Sequence, residues 1–143
     1  MILVLDTNVL SELMKPTSSA EVSAWLDRQE PSALYTTAIT QAEILLGIAV
    51  LPAGKKRGAI QAAALAMFAD DLQGRVLAFD EPAAASYAEI FARRRGAGRP
   101  AATLDLMVAA IAQSHGASIV TRDVSGFEGF GVVVINPWEQ KNR

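Results

Sequence analysis

The 143-residue sequence has no cysteine and a single histidine, His115. The lack of cysteine excludes disulfide bonds and thiolate metal sites, and one histidine cannot supply a zinc site built on several imidazoles. His115 precedes Gly116 in the last turn of a predicted helix, where a cation suits the helix dipole, so we interpret it as structural. Any metal site in this chain would therefore be made mainly of oxygen ligands.

The sequence also lacks a long apolar run and a strong charge of either sign. The longest apolar stretch, residues 44–51, is too short to span a bilayer. A net charge of −2 gives no general attraction to nucleic acid. The first apolar run has no basic segment before it and is followed at once by Asp6, which argues against a signal peptide. We expect one cytoplasmic domain over residues 1–143, with no membrane association.

Short apolar segments alternate with longer helix-like segments along the chain. This alternation predicts an α/β fold with a mainly parallel sheet and helices on both faces. The predicted strands are Ile2–Leu5, Leu34–Thr37, Val76–Phe79, Ser118–Thr121 and Val132–Ile135. The predicted helices are Ala20–Gln29, Thr40–Val50, Lys55–Leu72, Pro82–Arg95 and Leu104–Ser114.

Acidic residues recur near the carboxyl ends of the predicted strands or early in the helices. Asp6 directly follows the first strand, and Asp123 comes just after the fourth. Glu43 and Asp105 lie in the first turns of two predicted helices. In an open parallel sheet the carboxyl ends of the strands share one edge, where ligands bind. These four side chains are therefore candidates to meet at that edge.

Each of these acids also has a structural interpretation. Asp6 would suit the N-cap of a following helix, and Thr40-x-x-Glu43 fits a capping box. Asp105 suits the positive end of a helix dipole, and Asp123 suits a turn. These interpretations account for the acids one by one, but they do not explain why four of them should converge.

A cluster of four carboxylates has a definite chemical consequence. The carboxylates repel one another, which raises some of their pKa values unless cations bind. Oxygen ligands select hard divalent cations such as Mg²⁺ or Mn²⁺. A metal held at a solvent-open edge suits phosphodiester hydrolysis, because it lowers the pKa of a water nucleophile and neutralises charge on phosphate oxygens.

Four motifs follow one another in order: Leu5-Asp6-Thr7-Asn8, Ala42-Glu43-Ile44, residues 104–110 (LDLMVAA) and Val120-Thr121-Arg122-Asp123. By these motifs, their spacing and the closing Ile135-Asn136-Pro137-Trp138, the chain resembles PIN-domain ribonucleases. The resemblance is close to the VapC-type toxins of prokaryotic toxin–antitoxin pairs, and the opening segment and the closing Ile135-Asn136-Pro137-Trp138 particularly resemble the FitB-like branch. The resemblance runs from Met1 to about Trp138. Relatives often carry an acid before the phenylalanine of the last loop, where this chain has Gly126.

The resemblance implies a three-layer α/β/α fold around a five-stranded parallel sheet. It implies endonucleolytic cleavage of RNA by a metal-activated water, with Mg²⁺ or Mn²⁺ as cofactor. Matching positions make Asp6, Glu43, Asp105 and Asp123 the catalytic and metal-binding quartet. Asn8 and Ser11 would orient Asp6, and Thr121 would hydrogen-bond a carboxylate or a phosphate.

The resemblance also implies partners. They are a cognate antitoxin that wraps the toxin, a second copy in a homodimer, and promoter DNA reached indirectly through the antitoxin. Apolar faces in residues 44–51 and 65–68 are candidate partner surfaces, or simply core. Arg93, Arg94, Arg95 and Arg99 form a dense basic cluster that would contact the RNA backbone. Arginines in the last turn of a helix would equally complement its dipole.

Two other functions fit parts of the pattern. The first is a catalytically silent PIN-like module that binds proteins. The second is a Mg²⁺-binding receiver-type signalling domain, which also carries acids at strand ends. Receiver domains need a pair of adjacent acids after the first strand and a lysine after the last, whereas this chain has Asp6-Thr7 and Asn136-Pro137.

Overall fold

Five short strands form the centre of the molecule in a computed structural model of the chain, which describes residues 1–96, 98 and 102–140. The strands are β1 (Leu3–Leu5), β2 (Leu34–Thr37), β3 (Val76–Leu77), β4 (Ser118–Val120) and β5 (Val134–Ile135). They pair in parallel in the order β3-β2-β1-β4-β5. Because β1 is central, Asp6 at its carboxyl end lies in the middle of that edge.

Helices fill the connections between the strands. They are α1 (Thr7–Leu13), α2 (Ala20–Asp27), α3 (Ala38–Ala49), α4 (Lys55–Ala66), α5 (Glu81–Gly96) and α6 (Thr103–Ser114). A π-helical segment, Met67–Asp71, extends α4, and short 3₁₀ turns occupy Pro31–Ala33 and Val124–Phe127. No helix in the part of the chain that the structure describes combines the length and the hydropathy needed to cross a membrane.

Two hydrophobic cores lie on opposite faces of the sheet. Leu3 and Leu5 of β1 pack with buried residues of α1, α2, α3 and α4. Val4, which points the other way, packs with buried residues of α5 and α6. This alternation follows from the two-residue period of a strand, and it leaves β1 buried on both faces. The predicted three-layer α/β/α fold is confirmed.

The strand order also bears on the alternatives. Receiver-type domains belong to the doubly wound class with strand order 2-1-3-4-5. The order 3-2-1-4-5 seen here is different. The receiver alternative is therefore not supported by the fold.

The predicted elements are found, with two corrections. Helix α1 was not among the predicted helices, although it follows Asp6 directly. Helix α3 begins two residues earlier than predicted and is capped by Thr37, whose hydroxyl accepts from the Thr40 backbone N–H at 3.1 Å. Glu43 therefore lies in the second turn of α3, and the capping-box interpretation of Thr40-x-x-Glu43 is wrong.

The end of α6 was predicted correctly. Gly116 adopts φ +62°, a left-handed conformation that favours glycine. The backbone N–H of Ala117 donates to the Ala112 carbonyl at 2.9 Å, and that of Gly116 donates to the Gln113 carbonyl at 3.1 Å. These bonds form a Schellman motif that ends the helix. The exposed His115 is its C-cap residue, as a structural role predicts.

Candidate active site

The four candidate acids surround the carboxyl edge of the sheet. Asp6 follows β1, Asp123 follows β4, Glu43 lies on α3 and Asp105 is in the first turn of α6. Their charges act on one another. Asp6 raises the pKa values of Glu43 and Asp105, and Asp123 raises those of Asp6 and Asp105. Residues far apart in sequence therefore share one electrostatic site.

Asp6 occupies the N-cap position of α1 but does not cap the helix with its side chain. Its backbone is extended, with φ −82° and ψ 171°, and its carboxylate makes no capping hydrogen bond. Instead, Asp6 Oδ2 accepts from the Thr121 hydroxyl at 2.9 Å. The capping interpretation of the carboxylate is thus replaced by a contact across the sheet, from β1 to the end of β4.

Thr121 is the centre of a hydrogen-bond network. Its fully buried hydroxyl donates to Asp6 and accepts from Asn8 Nδ2 at 3.1 Å and from the Asp123 backbone N–H at 3.1 Å. Asn8 Oδ1 in turn accepts from the Arg122 backbone N–H at 3.0 Å. Asn8 therefore acts on Asp6 through Thr121, and the network joins the start of α1 to the loop after β4.

Burial is the main reason that three of the carboxylates resist ionisation. It is the largest cause of the raised pKa values of Asp6, Glu43 and Asp105, followed by neighbouring negative charge for Glu43 and Asp105. The neighbouring Thr7 backbone N–H and the hydrogen bond from Thr121 both act to lower the pKa of Asp6, but they do not offset its desolvation. A bound cation would relieve both effects, because it favours the charged form of each acid.

Asp123 is exposed and belongs to a tight turn. Its Oδ1 accepts from the Ser125 hydroxyl at 3.2 Å and from the Gly126 backbone N–H at 3.3 Å, which starts the 3₁₀ turn. A Cβ at position 126 would lie 2.6 Å from Asp123 Oδ2 and 3.4 Å from Asp105 Oδ2. Glycine at this position therefore lets the turn pack closely against both carboxylates.

The donor set fits a hard cation in chemistry and charge, since four carboxylates supply oxygen ligands alone. The buried Thr7 hydroxyl is a further oxygen near these acids, and it has no hydrogen-bond partner. It nevertheless lies close enough to Glu43 to lower the pKa of that acid. Within residues 1–96, 98 and 102–140, no three acidic or histidine side chains are near enough to hold one ion as they stand. The fit of these residues to a cation therefore rests on the chemistry and the charge of the donors.

Ser11 lies one helical turn beyond Thr7. It lines a cavity of about 230 Å³ between α1, α3 and α4, which Glu43 and Gly47 also line. That Ser11 helps to orient Asp6 stays a prediction. The hydrogen bonds to Asp6 and its network come from Thr121 and Asn8.

The arginine cluster is divided between two roles. Arg94 is half-buried, with its guanidinium 4.8 Å from the centre of the Phe130 ring, and it donates to the Glu128 carbonyl. Arg94 thus ties α5 to the loop that carries Asp123. Arg93 and Arg95 are exposed, and their contact with RNA stays a prediction. Arg99 lies outside the described residues.

Sequence reasoning missed Arg122 and Trp138 as a pair. The Arg122 guanidinium lies 5.0 Å from the centre of the Trp138 ring, although 16 positions separate the two residues. The sequence did indicate that Arg122 lies near the site, because it stands between Thr121 and Asp123. The closing segment, however, gave no indication that Trp138 would return to this edge.

The raised pKa of Asp6 predicts how pH changes stability without metal. An acid with a raised pKa in the folded state favours folding below its unfolded pKa, and this contribution is lost as the pH rises through the folded pKa. In EDTA, we expect Asp6→Asn to become progressively more stable than the parent as the pH rises above about 4. Thermal unfolding of both proteins, followed by circular dichroism from acid to neutral pH, measures this. If the difference in stability between the two proteins did not change with pH, the prediction would be wrong.

Comparison with known proteins places this architecture in a family. The fold and the site define an α/β/α domain with a cluster of acidic side chains at the carboxyl edge of its sheet. A family model described as PIN domain matches residues 3–129. The chain therefore belongs to the PIN-domain family, which confirms the resemblance predicted from its motifs.

Its relatives are toxins and nucleases by name. The chain is 44% identical over 137 residues to VapC ribonuclease Y4jK of Sinorhizobium fredii, covering 96% of this chain and 98% of that protein. It is 41% identical over 140 residues to Toxin FitB of Neisseria gonorrhoeae, covering 95% and 98%. A solved structure of FitAB bound to the IR36 DNA fragment matches with a TM-score of 0.90 and 38% identity, covering 99% of each chain.

Proposed function

We propose that this protein is the toxin of a type II toxin–antitoxin module and a Mg²⁺- or Mn²⁺-dependent endoribonuclease acting in the cytoplasm. The observation that carries the proposal is the coupling of the four carboxylates at one sheet edge, where three have raised pKa values. Burying acids beside one another destabilises a fold unless a ligand offsets the repulsion. The names of the relatives, a VapC ribonuclease and Toxin FitB, support the same activity.

Asp6, Glu43, Asp105 and Asp123 would hold the metal. When bound, the metal lowers the pKa of a water molecule and neutralises charge on the phosphate oxygens. The Thr121 hydroxyl fixes one oxygen of Asp6. Glu43, with its raised pKa, is suited to take the proton that the attacking water loses. A bond would then form from the water oxygen to phosphorus, and the bond to one ester oxygen would break. That oxygen would take a proton from solvent, which leaves a phosphomonoester on one product and a ribose hydroxyl on the other.

Metal titration tests the proposal. The 143-residue protein is incubated with a fluorescein-labelled RNA in EDTA and then with Mg²⁺ or Mn²⁺. We expect cleavage to be at least about a hundredfold faster with metal. Failure to cleave any RNA, including total cellular RNA, with either metal would favour the silent protein-binding module.

The proposed partners are a cognate antitoxin and a second copy of the chain. One face of α3 is buried through Ile44 and Ile48, whereas Leu46 and Val50 are 64% and 73% exposed. Leu65 of α4 is also exposed. Exposed apolar residues on adjacent helices are typical of protein interfaces. Promoter DNA would be contacted through the antitoxin.

A further inference from the structure

The Arg122–Trp138 pair places a positive charge beside the acidic site. Arg122 lies between Thr121, which bonds Asp6, and Asp123. Its backbone N–H is held by Asn8 Oδ1 at 3.0 Å. Its side chain is exposed, and the guanidinium rests over the Trp138 ring at 5.0 Å. Both the backbone and the side chain of Arg122 are therefore positioned by neighbouring residues.

Trp138 is a fixed support for this arginine. It is half-buried and packs against the core that contains Leu3 and Leu5. A cation over an indole face is attracted by the ring, which restrains the guanidinium without using its N–H donors. The planar fork of donors thus stays available to an acceptor in solvent.

The nearby Glu12 carboxylate is already engaged. It pairs with the Lys15 ammonium at 2.8 Å and accepts from the Ser19 backbone N–H at 2.6 Å. Lys15 and Ser19 are the main causes of its lowered pKa, and the charge of Arg122 contributes least. Because Glu12 is engaged by Lys15 and Ser19, the Arg122 guanidinium stays exposed to solvent instead of pairing with Glu12.

Resting on the endoribonuclease activity proposed above, we propose that Arg122, supported by Trp138, binds an RNA backbone phosphate adjacent to the one that is cleaved. A polyanion that approaches the cluster of four carboxylates meets repulsion, and a cation beside the cluster offsets part of it. Arginine is suited to this task because its fork matches two phosphate oxygens. The phosphate contact sets the position of the strand and carries no base preference.

Kinetics and binding test the role of Arg122. We expect Arg122→Ala to raise KM for a fluorescein-labelled RNA about tenfold, with a smaller change in kcat. Arg122→Lys keeps the charge but loses the fork, so its KM should be intermediate. Trp138→Leu removes the support and should also raise KM. Arg28→Ala, which removes an exposed arginine beside Met1 and Ile2 at the opposite sheet edge, is the matched control and should leave KM unchanged.

A second readout separates this proposal from the catalytic one. Binding of the same RNA is measured by fluorescence anisotropy against KCl concentration in the Asp6→Asn background with Mg²⁺. Loss of one phosphate contact should make the slope of log K against log salt shallower by about 0.7. RNA binding that depends on Arg122 would support the contact even if the parent protein cleaved nothing. Cleavage by the parent with unchanged KM and salt slope in Arg122→Ala would overturn it, as would a fall in kcat alone.

Discussion

Replacing Asp6 with asparagine is expected to abolish metal-dependent RNA cleavage, with a loss of at least about a hundredfold, while the protein stays folded. Asp6 is the most buried of the four acids at 7% exposure, and it lies at the end of the central strand. Asparagine keeps the shape of the side chain and an oxygen that can accept from Thr121. The substitution therefore removes the negative charge with little change in packing.

Cleavage rates with Mg²⁺ or Mn²⁺, together with circular dichroism spectra, check this expectation. Asp27→Asn is a matched control, because Asp27 is an exposed acid at the end of α2 and not one of the four candidate acids. It should retain the parent's activity. A folded Asp6→Asn protein with full metal-dependent activity would refute the role assigned to Asp6.

The other three acids differ in how they are held. Glu43 and Asp105 lie on helices, so their backbones are fixed by α3 and α6. Asp123 is on a loop, and its carboxylate is engaged by Ser125 and Gly126. Both hydrogen bonds fall on Oδ1, and they orient the carboxylate within the turn. The position of Asp123 therefore depends on the loop, which Arg94 anchors through Phe130 and Glu128.

Most of the architecture could be predicted because its signals are local. Short apolar runs separated by helix-forming segments are typical of parallel sheets, and Gly116 indicated where α6 ends. Helix α1 was missed because its seven residues, TNVLSEL, give too few turns for a periodic signal. The start of α3 was misplaced because Thr37 and Thr40 are both good capping residues, and strand pairing up to Thr37 decided between them.

The sequence was enough to predict which acids lie at the carboxyl edge of the sheet. Topology alone brings Asp6 and Asp123 together, since β1 and β4 are neighbours. The side-chain contacts around these acids depend on the paths of the loops, which the sequence does not reveal. Arg94 illustrates this, because its position in the last turn of α5 fits both the helix dipole and RNA binding, yet its guanidinium packs on Phe130.

Thr121→Val should test whether the buried network supports catalysis. Valine has nearly the shape of threonine but leaves Asn8 Nδ2 and the Asp123 N–H without their acceptor. We expect a loss of about 1 kcal/mol in the free energy of unfolding, because these two partly buried donors lose their acceptor. We also expect activity to fall by about ten- to a hundredfold, because Asp6 loses the donor that orients it.

The metal concentration needed for cleavage shows whether Thr121 orients Asp6 or only stabilises the fold. Without the Thr121 hydroxyl the pKa of Asp6 would rise further, since that hydrogen bond lowers it, and more metal would be needed to displace the proton. The Mn²⁺ concentration giving half-maximal cleavage should therefore increase in Thr121→Val. Thr121→Ser, which retains the hydroxyl but loses a methyl group, should lose stability while keeping the parent's metal requirement. Equal metal requirements in the valine and serine variants would show that Thr121 serves only the fold.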